Sequence, residues 1–235
     1  MTIAFTKSTL PFGWMGNMAG GYPITDPEGK EWKSSEALFQ AMRFSDDGIR
    51  EEIRAAKNGF AAKIVAKKHP DKMTVEPLSD ADLENMMDVL HFKIDQHPNL
   101  QAELLATGDQ LIVEDVTARG LGGRNGFWGA ALKNGTWEGQ NILGKMWMEI
   151  RMGLRHAELV DKKYSTGLTD TESAEFERIE LQYEKADEKA YGPVIERLET
   201  VLRKHQPVEL TADDEARIKK EIDDLTSDGL LDGDY

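Results

Sequence analysis

Trp32-Lys33-Ser34-Ser35-Glu36-Ala37-Leu38-Phe39-Gln40-Ala41-Met42-Arg43-Phe44 is the stretch at which the chain passes from strand to helix. Lys30-Glu31-Trp32 is extended and leaves Asp26-Pro27-Glu28-Gly29, a strong turn signal entered by the strand-like Tyr22-Pro23-Ile24-Thr25. Ser34 or Ser35 then caps a helix to about Phe44, because a serine hydroxyl accepts a free N–H of the first helical turn. Downstream, Asp46 or Asp47 starts a helix with Ile49, Ile53 and Ala56 on one face. Another helical stretch reaches Lys68 and ends at His69-Pro70. Ser79 opens the clearest amphipathic helix, with Leu83, Met86, Met87, Leu90 and Ile94 at helical spacing. Pro98 begins a short helix to about Leu105, and Gln110–Glu114 reads as a strand. A glycine-rich loop runs from Arg119 to Gly129. Asn141 begins the last helix of this part, with Leu143, Met146, Trp147, Ile150 and Leu154 facing inward.

The charge is unevenly spread along the 235 residues. Residues 1–156 carry a net charge of −3 and residues 157–235 a net charge of −11. So acidic a chain is a poor general binder of nucleic acid, whose affinity comes largely from phosphate neutralisation, although local contact with a nucleotide or a DNA end is compatible with it. There is no cysteine, which excludes disulfides and thiolate metal sites and suits a reducing cytoplasm. No apolar run is long enough to span a bilayer, and Met1-Thr2-Ile3-Ala4-Phe5 lacks the regions of a signal peptide. The expected location is cytoplasmic, with no membrane partner. After His156 aromatic and glycine content falls and acid rises. Three helices are expected there, from Thr169 or Asp170 to about Lys189, from Pro193 to near His205, and from a Thr211 cap. The expected organisation is a domain over 1–156, an acidic helical appendage over 157–227 that can dock a protein partner, and a disordered tip over 228–235.

Glu36 sits in the first helical turn, where an acid complements the helix dipole. Its neighbours Trp32, Phe39 and Phe44 supply apolar bulk, so burial would disfavour its charged form. A carboxylate so placed can also bind ribose hydroxyls, orient water or stabilise an oxocarbenium-like transition state. Trp128 lies beside Gly120, Gly122, Gly123, Gly126 and Gly129, which let backbone approach a ligand closely. Its indole is either core or a stacking platform for a base. Arg119 and Arg124 flank the same loop and are either solvated or aimed at phosphate. Asn17, Gln40, Asn125 and Asn141 can read a base edge or satisfy buried backbone. The five histidines form no credible metal site.

The run Trp32–Phe44, Gly16-Asn17-Met18, Phe127-Trp128-Gly129 and Gly139-Gln140-Asn141-Ile142-Leu143-Gly144-Lys145-Met146-Trp147-Met148-Glu149-Ile150-Arg151 together resemble the NADAR superfamily, the YbiA-like N-glycosidases. The resemblance covers about residues 5–156. It implies a compact, predominantly helical α+β domain that hydrolyses a ribose–base C–N bond without metal or redox cofactor. By position it makes Glu36 the catalytic carboxylate and puts Trp128 in the base pocket. Asn17, Gln40, Asn141 and Arg151 become positions that bind ligand or hold the pocket together. The substrates it implies are phosphoribosylated riboflavin intermediates or guanine carrying ADP-ribose, in DNA or nucleotides. Guanine is favoured here because Arg119 and Arg124 can hold a pyrophosphate. Three positions depart from the family pattern. Ala37 and Leu38 replace a His and a Tyr, and Asn125 replaces an Asp. Asn125 cannot act as a base, which leaves a non-catalytic binding module for ADP-ribose or NAD-like ligands as the alternative. Glu114 and Asp115 are the nearby acids that can compensate.

Overall fold

A computed structural model describes residues 2–186. The chain divides into two compact units, Met1–Phe176 and Glu177–Tyr235. The first is α+β and mainly helical, as expected. The helices expected from Pro193 and Thr211, the end of the one from Thr169, and the tip over 228–235 lie outside the described residues.

The hairpin around Asp26 pairs β2 (Ile24–Thr25) with β3 (Glu31–Trp32). Asp26 closes it, with Oδ1 accepting from the N–H groups of Glu28 and Lys30 and Oδ2 accepting from Trp32 Nε1 at 2.8 Å. The chain then enters α1 (Ser35–Ala41), capped by Ser34, whose hydroxyl accepts from Ala37 N. Every residue of α1 is buried. It is packed by α2 (Asp47–Ala55), α3 (Gly59–Ala66) and α4 (Asp80–Gln96). Asp46, Asn58 and Ser79 cap these three helices by the same bond as Ser34.

α5 (Pro98–Leu105) leads into β4 (Leu111–Glu114), which pairs in parallel with β1 (Thr2–Phe5). The register sets Phe5 opposite Glu114. The loop from Arg119 contains a short helix, α6 (Asn125–Trp128). Residues 130–138 form a hairpin of β5 (Ala131–Lys133) and β6 (Thr136–Glu138), turning at Asn134 and Gly135 with positive φ. α7 (Ile142–Ser165) runs unbroken through His156. Beyond it, Thr169 and Glu172 bond reciprocally as a capping box. Arg155 on α7 is bonded by Glu175 at 2.9 and 3.1 Å.

α7 and β4 meet through Asn141 and Gly144. Asn141 Oδ1 accepts from Glu114 N at 3.0 Å and its Nδ2 donates to Ile112 O at 2.8 Å. The side-chain amide therefore acts as one more residue of strand along β4. A Cβ at Gly144 would stand 2.3 Å from Ile112 O, so only glycine lets the helix approach this closely.

Candidate active site

The first unit contains a cavity of about 700 Å³ between α1, α3, the Gly13–Ala19 loop, the end of β4 and the loop through Arg119–Trp128. Its wall is set by one helical stripe. Glu36, Gln40 and Arg43 lie at i, i+4 and i+7 of α1 and beyond its end, and all three are buried. Arg43 donates through Nε and Nη2 to both oxygens of Asp82, at 2.7 and 2.8 Å. Its Nη1 donates to Gln40 Oε1 at 3.0 Å. A guanidinium only donates, so it turns the Gln40 amide to present Nε2 to the other side. That Nε2 donates to Glu36 Oε1 at 2.8 Å. One carboxylate oxygen of Glu36 is thus fixed by a chain of bonds from α4.

Lys63 on α3 brings its ammonium to 3.6 Å from the same oxygen. α3 approaches this closely because Gly59, Ala62 and Ala66 face α1, and a Cβ at Gly59 would meet Ser34 Oγ at 2.9 Å and Glu36 Cβ at 3.0 Å. The apolar surroundings expected of Glu36 are only partly present. Phe39 lines the cavity, whereas Trp32 and Phe44 belong to the core, with Trp32 turned to Asp26.

Asn17 closes the floor. Its carbonyl accepts the Glu36 N–H at 3.0 Å. Its side chain is 6% exposed, with Nδ2 at 2.8 Å from Met86 Sδ and Oδ1 unbonded among the described residues. A buried acceptor left unbonded costs about 1–3 kcal/mol, which a ligand N–H or O–H would offset. The loop carrying Asn17 is held from behind. Lys93 Nζ donates to the carbonyls of Trp14 and Gly16, and Trp147 Nε1 donates to Met15 O at 2.9 Å. Lys93 is fully buried, and desolvation pushes its ammonium down to about 7.

On the opposite wall Trp128 is half-buried and meets Phe39 edge to face at 5.9 Å. Gly129 has no room for a side chain, since a Cβ would stand 2.4 Å from Glu114 O, and this seats Trp128 beside the end of β4. Glu114 lines the cavity, with Oε1 accepting from Arg119 Nη2 at 2.8 Å. Asp115 instead bonds the Thr117 N–H. Asn125 lines the cavity and its Nδ2 donates to Gly120 O at 3.1 Å.

The cavity therefore collects Glu36, Gln40, Asn17, Trp128, Asn125, Arg119 and Arg124. It does not collect Asn141 or Arg151. Asn141 is spent on β4. Arg151 donates to Thr107 Oγ1 and Gln110 O at 2.7 and 2.9 Å and fixes the turn before β4. Ala37 and Leu38 are core residues. Sequence reasoning passed over Arg43, Lys63 and Lys67, which also line the cavity. The spacing of Lys63 and Lys67 by one helical turn was their one local signal. Among the described residues no three His, Asp or Glu side chains gather as a metal ligand set. The arrangement can hold an anionic, flat-ringed ligand against one fixed carboxylate.

A family model described as the NADAR domain matches residues 4–155. N-glycosidase YbiA of Escherichia coli (strain K12) is 32% identical over 151 residues, 63% of this chain and 86% of the relative. Riboflavin biosynthesis protein VVA0006 of Vibrio vulnificus is 28% identical over 60% of this chain and 36% of its own. The NMR structure of E. coli YbiA superposes with a TM-score of 0.55 at 29% identity, over 68% of this chain and 89% of that one.

Proposed function

Since the chain belongs to the NADAR family, we propose that it is an N-glycosidase, hydrolysing the bond between ribose C1 and a base nitrogen. The relatives' names support the reaction class. The observation that carries the reading is Glu36, a buried carboxylate with one oxygen fixed by Gln40 and Lys63 on the wall of a nucleotide-sized cavity. Cleavage of the C–N bond leaves positive charge on the ribose ring. A preorganised carboxylate stabilises that charge and orients the water that adds to C1. The water's oxygen forms the new bond to C1, its proton passes to a carboxylate, and the base departs with the bonding electrons.

The substrate we favour is guanine carrying ADP-ribose, in DNA or as a nucleotide. Trp128 offers a face to the base, Asn17 Oδ1 an acceptor, and Arg119 and Arg124 partners for a pyrophosphate. Release of the phosphoribosyl group from a riboflavin intermediate is the alternative, favoured by the name of the Vibrio relative. Asn125 cannot take a proton, and Glu114 is the second carboxylate on the cavity wall. The test is release of ADP-ribose from an ADP-ribosyl-guanine oligonucleotide. Glu36→Gln keeps the bond geometry and removes the charge, and turnover should fall about 10²–10⁴-fold with an unchanged melting temperature. Equal activity of the two proteins would overturn the role of Glu36. Tight binding without release by the wild type would favour a non-catalytic module, with Asn125 as its cause.

A further inference from the structure

α3 is amphipathic the wrong way round. It buries its smallest residues, Gly59, Ala62 and Ala66, and exposes its largest apolar ones, Phe60 at 66% and Ile64 at 47%. Phe60, Lys63, Ile64 and Lys67 stand at i, i+3, i+4 and i+7, so they share one face. The two lysines of that face line the cavity beside Glu36. The exposed apolar pair Phe60 and Ile64 therefore shares a helix face with two cavity-lining lysines. The surrounding charge is equally out of character. Residues 57–72 hold five lysines and one acid in a chain of net charge −14. Core packing does not explain an exposed phenylalanine on the same helix face as two cavity-lining lysines. An aromatic face flanked by cations is what a single nucleic-acid strand recognises, its bases stacking on the ring and its phosphates meeting the ammonium groups.

We infer that the outer face of α3 is a platform for the strand flanking the target base, so that the substrate is a polynucleotide rather than a free nucleotide. Phe60 stacks on a neighbouring base, Ile64 extends the apolar surface under it, and Lys67 neutralises a phosphate at the mouth. The inference rests on the reading of the cavity as a nucleotide site.

The experiment is fluorescence anisotropy of a labelled short single-stranded oligonucleotide without ADP-ribose, titrated with the full-length protein at several salt concentrations. Because this probe carries no ADP-ribose and the readout is binding rather than turnover, loss of the glycosidase reading would leave the measurement intact. Saturable binding is expected. Phe60→Ala should weaken it roughly 5- to 150-fold, the range set by one base–aromatic stack. Lys67→Ala should flatten the dependence of log affinity on log salt by about 0.7. Both side chains are exposed, so both variants should melt like the wild type. Absence of binding, or binding that Phe60→Ala leaves unchanged, overturns the inference. So does a dimer in sedimentation that Phe60→Ala dissociates, which would make the face an interface between copies.

Discussion

Among the described residues, Lys93 departs furthest from its usual chemistry. It is buried with no carboxylate partner among the described residues, and its ammonium holds the Trp14 and Gly16 carbonyls behind the Asn17 loop. Its folded value, about 7, lies below the ordinary 10.5. Below pH 7 both folded and unfolded chains carry the proton, so this group gives stability no pH dependence there, although burying its charge costs stability. Between about 7 and 10.5 the unfolded chain binds more protons, so stability rises with pH. Lys93→Met removes that dependence. In melting curves the wild type should gain on the variant as pH goes from 7 to 10, and parallel profiles would show that the lysine stays charged. The loss of its two carbonyl bonds loosens the Asn17 loop at every pH, which should also raise KM for a nucleotide substrate. Arg43 shows the opposite solution to burial. Its pairing with Asp82 satisfies both charges, and the leftover N–H orients Gln40 and through it Glu36.

Among the elements, β4 and α7 form the seam on which the second wall of the cavity depends. Gly144→Ala places a methyl 2.3 Å from Ile112 O and displaces the helix or the strand. Because Asn141 bonds the Glu114 N–H from the same helix turn, that displacement also moves the Glu114 carboxylate. The expected cost is about 1–3 kcal/mol from overpacking, with activity falling more than stability. A calorimetric melt and a rate on the same protein check both, and an unchanged rate would remove Glu114 from the site. The helix starts were legible because a cap is a local bond: Ser34, Asp46 and Ser79 each meet the N–H three residues on. The hairpin at Asn134-Gly135 carries an equally local signal, the asparagine–glycine pair of a two-residue turn, which the reading of the sequence does not use. The family motifs single out Glu36, Gln40, Asn17 and Trp128, and all four line the same cavity. The ammonium of Lys63 beside Glu36 was not legible in the sequence, because it depends on how closely Gly59, Ala62 and Ala66 let α3 approach α1. Nor was the parallel pairing of β1 with β4, which joins residues more than a hundred positions apart.

For the whole molecule the question is how an acidic chain engages an anionic substrate. The formal charge is −14, yet one rim of the cavity is lysine-rich and its loop carries Arg119 and Arg124. Much of the acid lies at the far end of the sequence. Residues 187–235 hold 14 acidic and seven basic residues, a net of −7. Such a segment repels a polyanion over about a Debye length, roughly 10 Å at 0.1 M salt, while leaving a short-range stack on Phe60 untouched. A chain ending at residue 186 keeps every residue of the cavity and half the net charge. At low salt it should bind a single-stranded oligonucleotide more tightly than the full chain, chiefly through faster association. The two affinities should converge as salt is raised, because screening removes the repulsion and leaves the stacking. Its melting transition establishes that the shortened chain is folded, and rates of association over a salt series supply the comparison. Equal affinities at low salt would mean that the acidic segment exerts no field at the cavity. Weaker binding by the shortened chain would mean that the segment itself contributes to the substrate surface.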